Sequence, residues 1–132
     1  MLKITRKVEY ALIALRHLQQ MEQGQLSSAK SMASEYGIPQ ELLAKILQKL
    51  AKEKIVQALK GPRGGYQILK DPKKVNMTKF FEILEGPMGI MDCYFDSNCE
   101  QINGCTIREP INRINERIRG MFDQMTLADI TF

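Results

Sequence analysis

The stretch IVQALKGPRGGYQIL, residues 55–69, decides the fold. Two runs of strand-forming residues, 55–59 and 66–69, flank a turn that is built mainly of glycine and proline. Because glycine and proline favour tight turns, this pattern predicts a β-hairpin. Lys60 and Arg63 stand among the glycines, so the tip could bring cations and bare backbone close to a phosphate. A hairpin with a purely structural role has the same pattern.

Two helices are predicted directly before this hairpin. The first begins at Ser27 or Ser28 and ends at Tyr36-Gly37, where glycine supplies the positive φ of a tight turn. Pro39 opens the second, at a position where its missing N–H is not needed. The second helix has one apolar face, formed by Leu42, Leu43, Ile46, Leu47 and Leu50. Two short helices joined by a glycine-containing turn match a helix-turn-helix, and the hairpin after them makes it a winged helix.

The charge distribution indicates a polyanionic partner. The net charge is +4, but residues 1–76 carry 14 Lys+Arg against 6 Asp+Glu, and residues 77–132 carry 5 against 9. A basic half that contains a winged helix favours double-stranded DNA as the partner over a merely solvated basic surface. The candidate DNA-contacting residues lie at the start of the chain, on the polar face of the helix after Pro39 and at the hairpin tip: Thr5, Gln40, Glu41, Lys45, Lys49, Lys60 and Arg63.

The other helices are predicted from apolar periodicity. One runs from Thr5, a suitable N-cap, to about Met21, and a short one spans 77–84. Over 107–125, isoleucine and methionine recur at steps of four and three, which predicts a long amphipathic helix. Because little core is left for so late a helix to cover, we expect it to pack against its copy in a homodimer. Folding back on its own chain is the alternative.

The expected architecture is mainly α with a small β-hairpin wing. A winged helix-turn-helix DNA-binding domain would occupy 1–76, and a cysteine-containing loop with the long C-terminal dimerisation helix would occupy 77–132. The tetrapeptide TIRE, 106–109, reads as a capping box for that helix. Pro110 is then tolerated in or near the first turn.

All three cysteines lie in CYFDSNCEQINGC, residues 93–105, with five residues between neighbours. Their surroundings are rich in Asp, Asn, Glu and Gly, which is unusual for buried inert thiols. A structural zinc site normally uses closer pairs and a fourth Cys or His, and the single histidine, His17, is distant in sequence. An iron–sulfur cluster accepts thiolates from an open loop at wider spacing. The spacing alone leaves these three alternatives open.

Four segments together resemble the IscR/NsrR group of bacterial transcription regulators, the Rrf2 family. They are LKITRKVEYALIAL (2–15), KGPRGGYQILKDP (60–72), the C-x5-C-x5-C segment and TLADI (126–130). The resemblance covers nearly the whole chain. It implies a dimeric winged helix that binds palindromic promoter DNA. It also implies an iron–sulfur cluster, 4Fe-4S or 2Fe-2S, on Cys93, Cys99 and Cys105.

The resemblance also bears on the fourth ligand of such a cluster. The IscR-type pattern places a histidine three residues after the last cysteine, and here that position is Arg108. Other members use an acidic side chain from the first helix of the partner subunit, which alignment of the first helix implies to be Glu9. A plain exposed helical glutamate is the alternative for Glu9.

The function expected from all of this is a cytoplasmic regulator or repressor that senses redox, nitric oxide or iron–sulfur status. A cluster-free regulator that acts through thiol oxidation or partner binding is one alternative, and a metal- or cluster-handling protein without a DNA role is another. No apolar run approaches the roughly 18 residues of a membrane span. An enzyme is not expected, because the sequence has no clustered acid/base set and its glycine turn leads into a strand rather than a phosphate-binding helix.

Overall fold

The computed structural model describes residues 4–86, 104 and 106–131. These residues form a mainly helical molecule with one antiparallel hairpin and a 3-10 turn at Pro72–Lys74. The elements are α1 (Arg6–Gln20), α2 (Ala29–Tyr36), α3 (Gln40–Lys52), β1 (Val56–Leu59), β2 (Gly65–Ile68), α4 (Met77–Glu85), α5 (Arg108–Asp123) and α6 (Ala128–Thr131). Across these described ranges, no helix has the length and hydropathy that crossing a membrane requires.

The helix-turn-helix forms as its capping residues predict. The Ser28 side chain accepts a hydrogen bond from the backbone N–H of Ser31 and starts α2. Gly37 ends α2 with φ of 66°, a left-handed conformation that favours glycine. Pro39 then precedes α3, and the apolar face of α3 lies in the core. The turn between the two helices is therefore set by Gly37 and Pro39.

The wing is tied to the loop between α1 and α2. β1 pairs with β2 in the register Val56↔Ile68 and Leu59↔Gly65. Ser27 adds a bridge to the other edge of β2, since its N–H donates to the Tyr66 carbonyl at 3.1 Å and its carbonyl accepts from the Tyr66 N–H at 2.8 Å. A Cβ at position 65 would lie 2.8 Å from the Ser27 carbonyl carbon and oxygen. Only glycine permits this approach.

One hydrophobic core serves the whole described molecule. It includes residues from both sides of residue 76, since Phe80, Leu84 and Leu127 are buried together with the apolar faces of α1 and α3. The buried members are Val8, Ala11, Ala14, Leu15, Leu18, Met32, Ala33, Ile38, Leu43, Ile46, Leu47, Leu50, Ile55, Val56, Val75, Met77, Phe80, Leu84 and Leu127. The division into 1–76 and 77–132 stays a prediction, and its two parts share this core.

The end of the chain returns to the helix-turn-helix. The Met77 N–H donates to the Met125 carbonyl at 3.1 Å, and the Leu127 N–H donates to the Val75 carbonyl at 2.8 Å. This two-bond bridge places Leu127 in the core beneath α1. From α1, the Gln19 side-chain amide then donates to the Thr131 hydroxyl at 2.9 Å.

The predicted capping box at TIRE is wrong. α5 begins at Arg108, its N-cap is Ile107, and no side chain caps it. The first bond of an α-helix is donated by the fourth residue after the N-cap. With Thr106 as N-cap that donor would be Pro110, which has no N–H. The first bond therefore runs from the Ile111 N–H to the Ile107 carbonyl, at 3.0 Å.

Candidate nucleic-acid interface and metal centre

The outward face of α3 is polar and accessible. Its inward face is fixed by four fully buried side chains, so the opposite side of the helix is left to solvent. All four candidate DNA-contacting residues of this helix are exposed: Gln40, Glu41, Lys45 and Lys49. The N-cap residue, Pro39, makes no side-chain cap. The first N–H groups of α3 are therefore not satisfied by a capping side chain, and this end of the helix suits an electronegative ligand.

The wing tip presents Lys60 and Arg63 on a turn that only glycine can build. Both cations are exposed. Gly61 has φ of 114°, and its carbonyl accepts the Gly64 N–H at 2.9 Å. A Cβ at Gly64 would lie 2.2 Å from the Leu59 carbonyl oxygen. The turn is therefore fixed without bulky side chains, which leaves its backbone and the two cations open to a phosphate.

The outer surface of α2 was missed by the sequence reasoning. An open depression of about 460 Å³ there is lined by Ser28, Lys30, Ser31, Ser34 and Glu35. The first helix of a helix-turn-helix crosses the DNA backbone, and hydroxyl groups and lysines are common donors to phosphate. The signal that could have found this surface is the serine-rich run SSAKSMAS at 27–34.

Thr5 does two things at the start of α1. Its hydroxyl oxygen accepts from the Val8 N–H at 3.4 Å, so it caps the helix as predicted. The same hydroxyl donates to the Glu85 carboxylate at 2.5 Å, which joins the first turn of α1 to the last residue of α4. A DNA contact by Thr5 stays a prediction, and its hydroxyl proton is already engaged with a carboxylate of the same chain.

Glu9 lies on an outward stripe of α1. Its side chain is 44% exposed, and its carboxylate lies 3.0 Å from the Arg6 guanidinium. Ile13, one turn further along the same stripe, is 37% exposed although it is apolar. The stripe is therefore open to a second protein surface, and the carboxylate of Glu9 can be reached from outside its own subunit.

The three cysteines lie outside the described residues. Cys93, Cys99 and Cys105 all fall there, so the structure does not test whether they meet one another or Glu9. Within 4–86, 104 and 106–131, no three His, Cys, Asp or Glu side chains come together in a way that could hold a metal ion. His17, the other candidate ligand, has its Nδ1 2.8 Å from the Tyr36 hydroxyl and 3.7 Å from the Glu35 carboxylate.

The helix that follows the cysteines turns a partly polar face toward its own chain. Asn115 is 3% exposed, and the Arg119 guanidinium lies 2.8 Å from the Glu82 carboxylate of α4. Three apolar residues at seven-residue intervals stay outside: Ile107, Ile114 and Met121, which are 55%, 48% and 54% exposed. The intervening apolar residues are only partly covered. α5 thus leaves one edge of its apolar stripe without a cover from its own chain.

The donor chemistry suits an iron–sulfur cluster. Three thiolates and one carboxylate are ligands that iron accepts. The first turns of α5 contribute an independent observation, since the buried Nε of Arg108 has no hydrogen-bond partner. A buried donor without an acceptor indicates a missing anionic or electronegative partner beside the residues that follow Cys105.

Comparison with known proteins assigns the family. The family model described as an iron-dependent transcriptional regulator, Rrf2, matches residues 4–132. The chain belongs to the Rrf2 family. This Rrf2 protein is 27% identical over 132 residues to the HTH-type transcriptional regulator NsrR of Bacillus subtilis, with 98% of this chain and 90% of that protein covered.

Solved structures of this Rrf2 protein's relatives have the same fold. CymR, the global cysteine regulator of B. subtilis, superposes with a TM-score of 0.73 at 24% identity and covers 99% of this chain and 97% of its own. IscR of T. potens superposes with a TM-score of 0.70 at 23% identity, covering 97% and 85%. The winged helix-turn-helix fold and the family resemblance are both confirmed. The chain is a transcriptional regulator.

Proposed function

We propose that this Rrf2 regulator binds promoter DNA as a homodimer and that its affinity follows the state of an iron–sulfur cluster. The observation that carries the proposal is the pairing of an exposed polar α3 face with a cationic, glycine-built wing tip. α3 would enter the major groove, where Gln40 and Glu41 can reach base edges. Lys45, Lys49 and the wing would hold phosphates, which supplies affinity without sequence information.

The exposed edge of α5 supports the dimer. Ile107, Ile114 and Met121 are too regularly spaced, and too exposed, for a helix that has finished packing. The same surface on a second copy would cover them by two-fold symmetry. Two α3 helices related by this symmetry could then read half-sites about 34 Å apart, which is one helical turn of B-DNA.

The cluster would be held by Cys93, Cys99 and Cys105 together with Glu9 of the partner subunit. When bound, it would supply a redox-sensitive link between the cysteine segment and α1. A carboxylate is a harder and weaker iron ligand than a thiolate, so Glu9 would make the most labile of the four bonds. α1 packs directly on α3, so a change at Glu9 bears on the spacing of the two reading heads.

The DNA part of the proposal is tested by salt-dependent binding to a fluorescently labelled random-sequence duplex. Arg63→Ala should weaken binding and lower the slope of log affinity against log salt by about 0.9 for one lost phosphate contact. Lys79→Ala, which removes one exposed cation from α4, is the matched control and should leave the slope unchanged. Equal slopes for Arg63→Ala and wild type would exclude the wing from the interface.

The cluster part is tested by anaerobic purification followed by iron and sulfide counts and a visible spectrum. Cys99→Ala should abolish the colour. A wild-type protein that binds DNA but assembles no cluster would favour the alternative, a regulator that acts through thiol oxidation or partner binding. Cluster assembly without DNA binding would favour a cluster-handling protein instead.

A further inference from the structure

Two polar atoms are buried without a partner in the first turns of α5. They are Nε of Arg108 and Oδ1 of Asn112, and neither has a hydrogen-bond partner. Burial of a polar group without a hydrogen bond is unfavourable, so such groups are rare in folded proteins and each needs a physical reason. Two of them within one turn point to a ligand or partner that belongs between them and the body of the protein.

These atoms belong to the inward polar face of α5. Arg108 and Asn112 are four residues apart, so they lie one above the other on the helix, in line with buried Asn115 and Arg119. The two arginines differ in one respect. Arg119 has a carboxylate partner in Glu82, whereas Nε of Arg108 faces no acceptor. The uncompensated end of this face is the end next to the cysteine segment.

The electrostatics of that end favour an anion. Arg108 is positively charged at all working pH values. It stands in the first turn of α5, whose N-cap residue Ile107 makes no side-chain cap, so the partial positive charge of the helix start is added to that of the guanidinium. Asn112 adds a donor as well if its amide is turned by 180°, which exchanges the oxygen and nitrogen positions.

We propose that Arg108 and Asn112 form the floor beneath the iron–sulfur cluster and donate hydrogen bonds to its sulfur atoms. This inference rests on the cluster proposed above. Arg108 follows Cys105 by three residues, so it is as close in sequence to the thiolates as any described side chain of α5. Arg108 is a positioning residue and not a ligand, because a guanidinium has no lone pair to offer iron. Its charge and its N–H would offset the negative charge of the thiolate-bound cluster and set its reduction potential.

The test compares Arg108→Met with Arg117→Met. Both changes remove one guanidinium from α5 and keep an unbranched side chain, but Arg117 is exposed. After anaerobic assembly, Arg108→Met should shift the cluster's reduction potential to a more negative value, since the reduced, more anionic state loses its counter-charge. It should also lose the cluster in air about tenfold faster. Arg108→Lys, which keeps the charge without the Nε–H, should recover part of the potential but not the lifetime.

The cluster-free protein gives a second readout with the opposite sign. Without a cluster the buried Nε–H of Arg108 is a liability, so Arg108→Met should raise the melting temperature of cluster-free protein by about 4 °C. A residue with only a structural role would lower both the melting temperature and the cluster lifetime. Arg117→Met should change neither.

The outcomes separate the two proposals. If Arg108→Met matches Arg117→Met in potential and decay, the floor is refuted while the cluster stands. If Arg108→Met lowers the melting temperature of the cluster-free protein, Arg108 is a structural residue and the floor is likewise refuted. If wild type carries no iron and sulfide after anaerobic assembly, the proposed function fails before any variant is compared, and the inference fails with it.

Discussion

Gly65→Ala should detach the wing from the helix-turn-helix. The new methyl group would lie 2.8 Å from both the carbonyl carbon and the carbonyl oxygen of Ser27, and 3.1 Å from its nitrogen. These are backbone atoms, so no side-chain rotation can relieve the overlap. Ser27 and β2 must move apart, and the pair of hydrogen bonds between Ser27 and Tyr66 would be lost.

The magnitude follows from those two bonds. Each contributes about 1 kcal/mol net, so the free energy of unfolding should fall by about 2 kcal/mol. For a chain of this length that corresponds to a decrease of about 8 °C in melting temperature. DNA affinity should fall as well, and so should its salt dependence, because Lys60 and Arg63 would no longer be held beside α3.

The assay is urea unfolding followed by circular dichroism, at one fixed protein concentration because dimers unfold in a concentration-dependent way. Gly120→Ala is the matched control. Gly120 lies inside α5, and a Cβ there meets nothing within 4 Å. Alanine is the better helix former, so this variant should be more stable by about 1 kcal/mol. If Gly65→Ala unfolds at the same urea concentration as wild type, the steric argument is refuted.

Three further changes have definite expected outcomes. Ile114→Glu should convert the dimer to monomer in sedimentation equilibrium, because it buries an unpaired charge, whereas Ile114→Leu should not; a wild type that is monomeric at micromolar concentration would contradict this. Lys54 has φ of 62°, so Lys54→Gly should stabilise the protein by about 1 kcal/mol in urea unfolding, while Lys52→Gly, inside α3, should destabilise it by a similar amount. Glu9→Ala should speed cluster loss in air, followed by absorbance, and Glu22→Ala should not; equal decay would mean that another group is the fourth ligand.

Local chemistry made much of the reading head predictable. Gly37, Pro39 and the GPRGG turn each restrict the backbone to few conformations, so the turn between α2 and α3 and the hairpin follow from residue type. The four leucine and isoleucine residues buried along α3 fix which side of that helix faces outward. The exposed Gln40, Glu41, Lys45 and Lys49 could be placed for this reason.

Long-range pairing was not predictable in the same way. Ser27 reads as the start of a helix, and nothing near it in sequence indicates that it pairs with Tyr66. The 3-10 turn at Pro72–Lys74 and the short α6 have too few residues for a periodic signal. The start of α5 was misplaced because one proline shifts the first hydrogen bond by a residue. The orphaned Nε of Arg108 is a property of packing, which the sequence does not state.

The bridge between Val75 and Leu127 has a consequence for how the protein is made. Leu127 completes the core beneath α1, yet it is among the last residues to leave the ribosome. α1 is synthesised first and must wait for a partner more than a hundred residues later in the chain. A premature stop codon anywhere ahead of residue 127 should therefore yield an unfolded chain that is degraded, and not a shortened regulator locked onto its promoters. A selection for constitutive repression should accordingly recover point substitutions and no truncations.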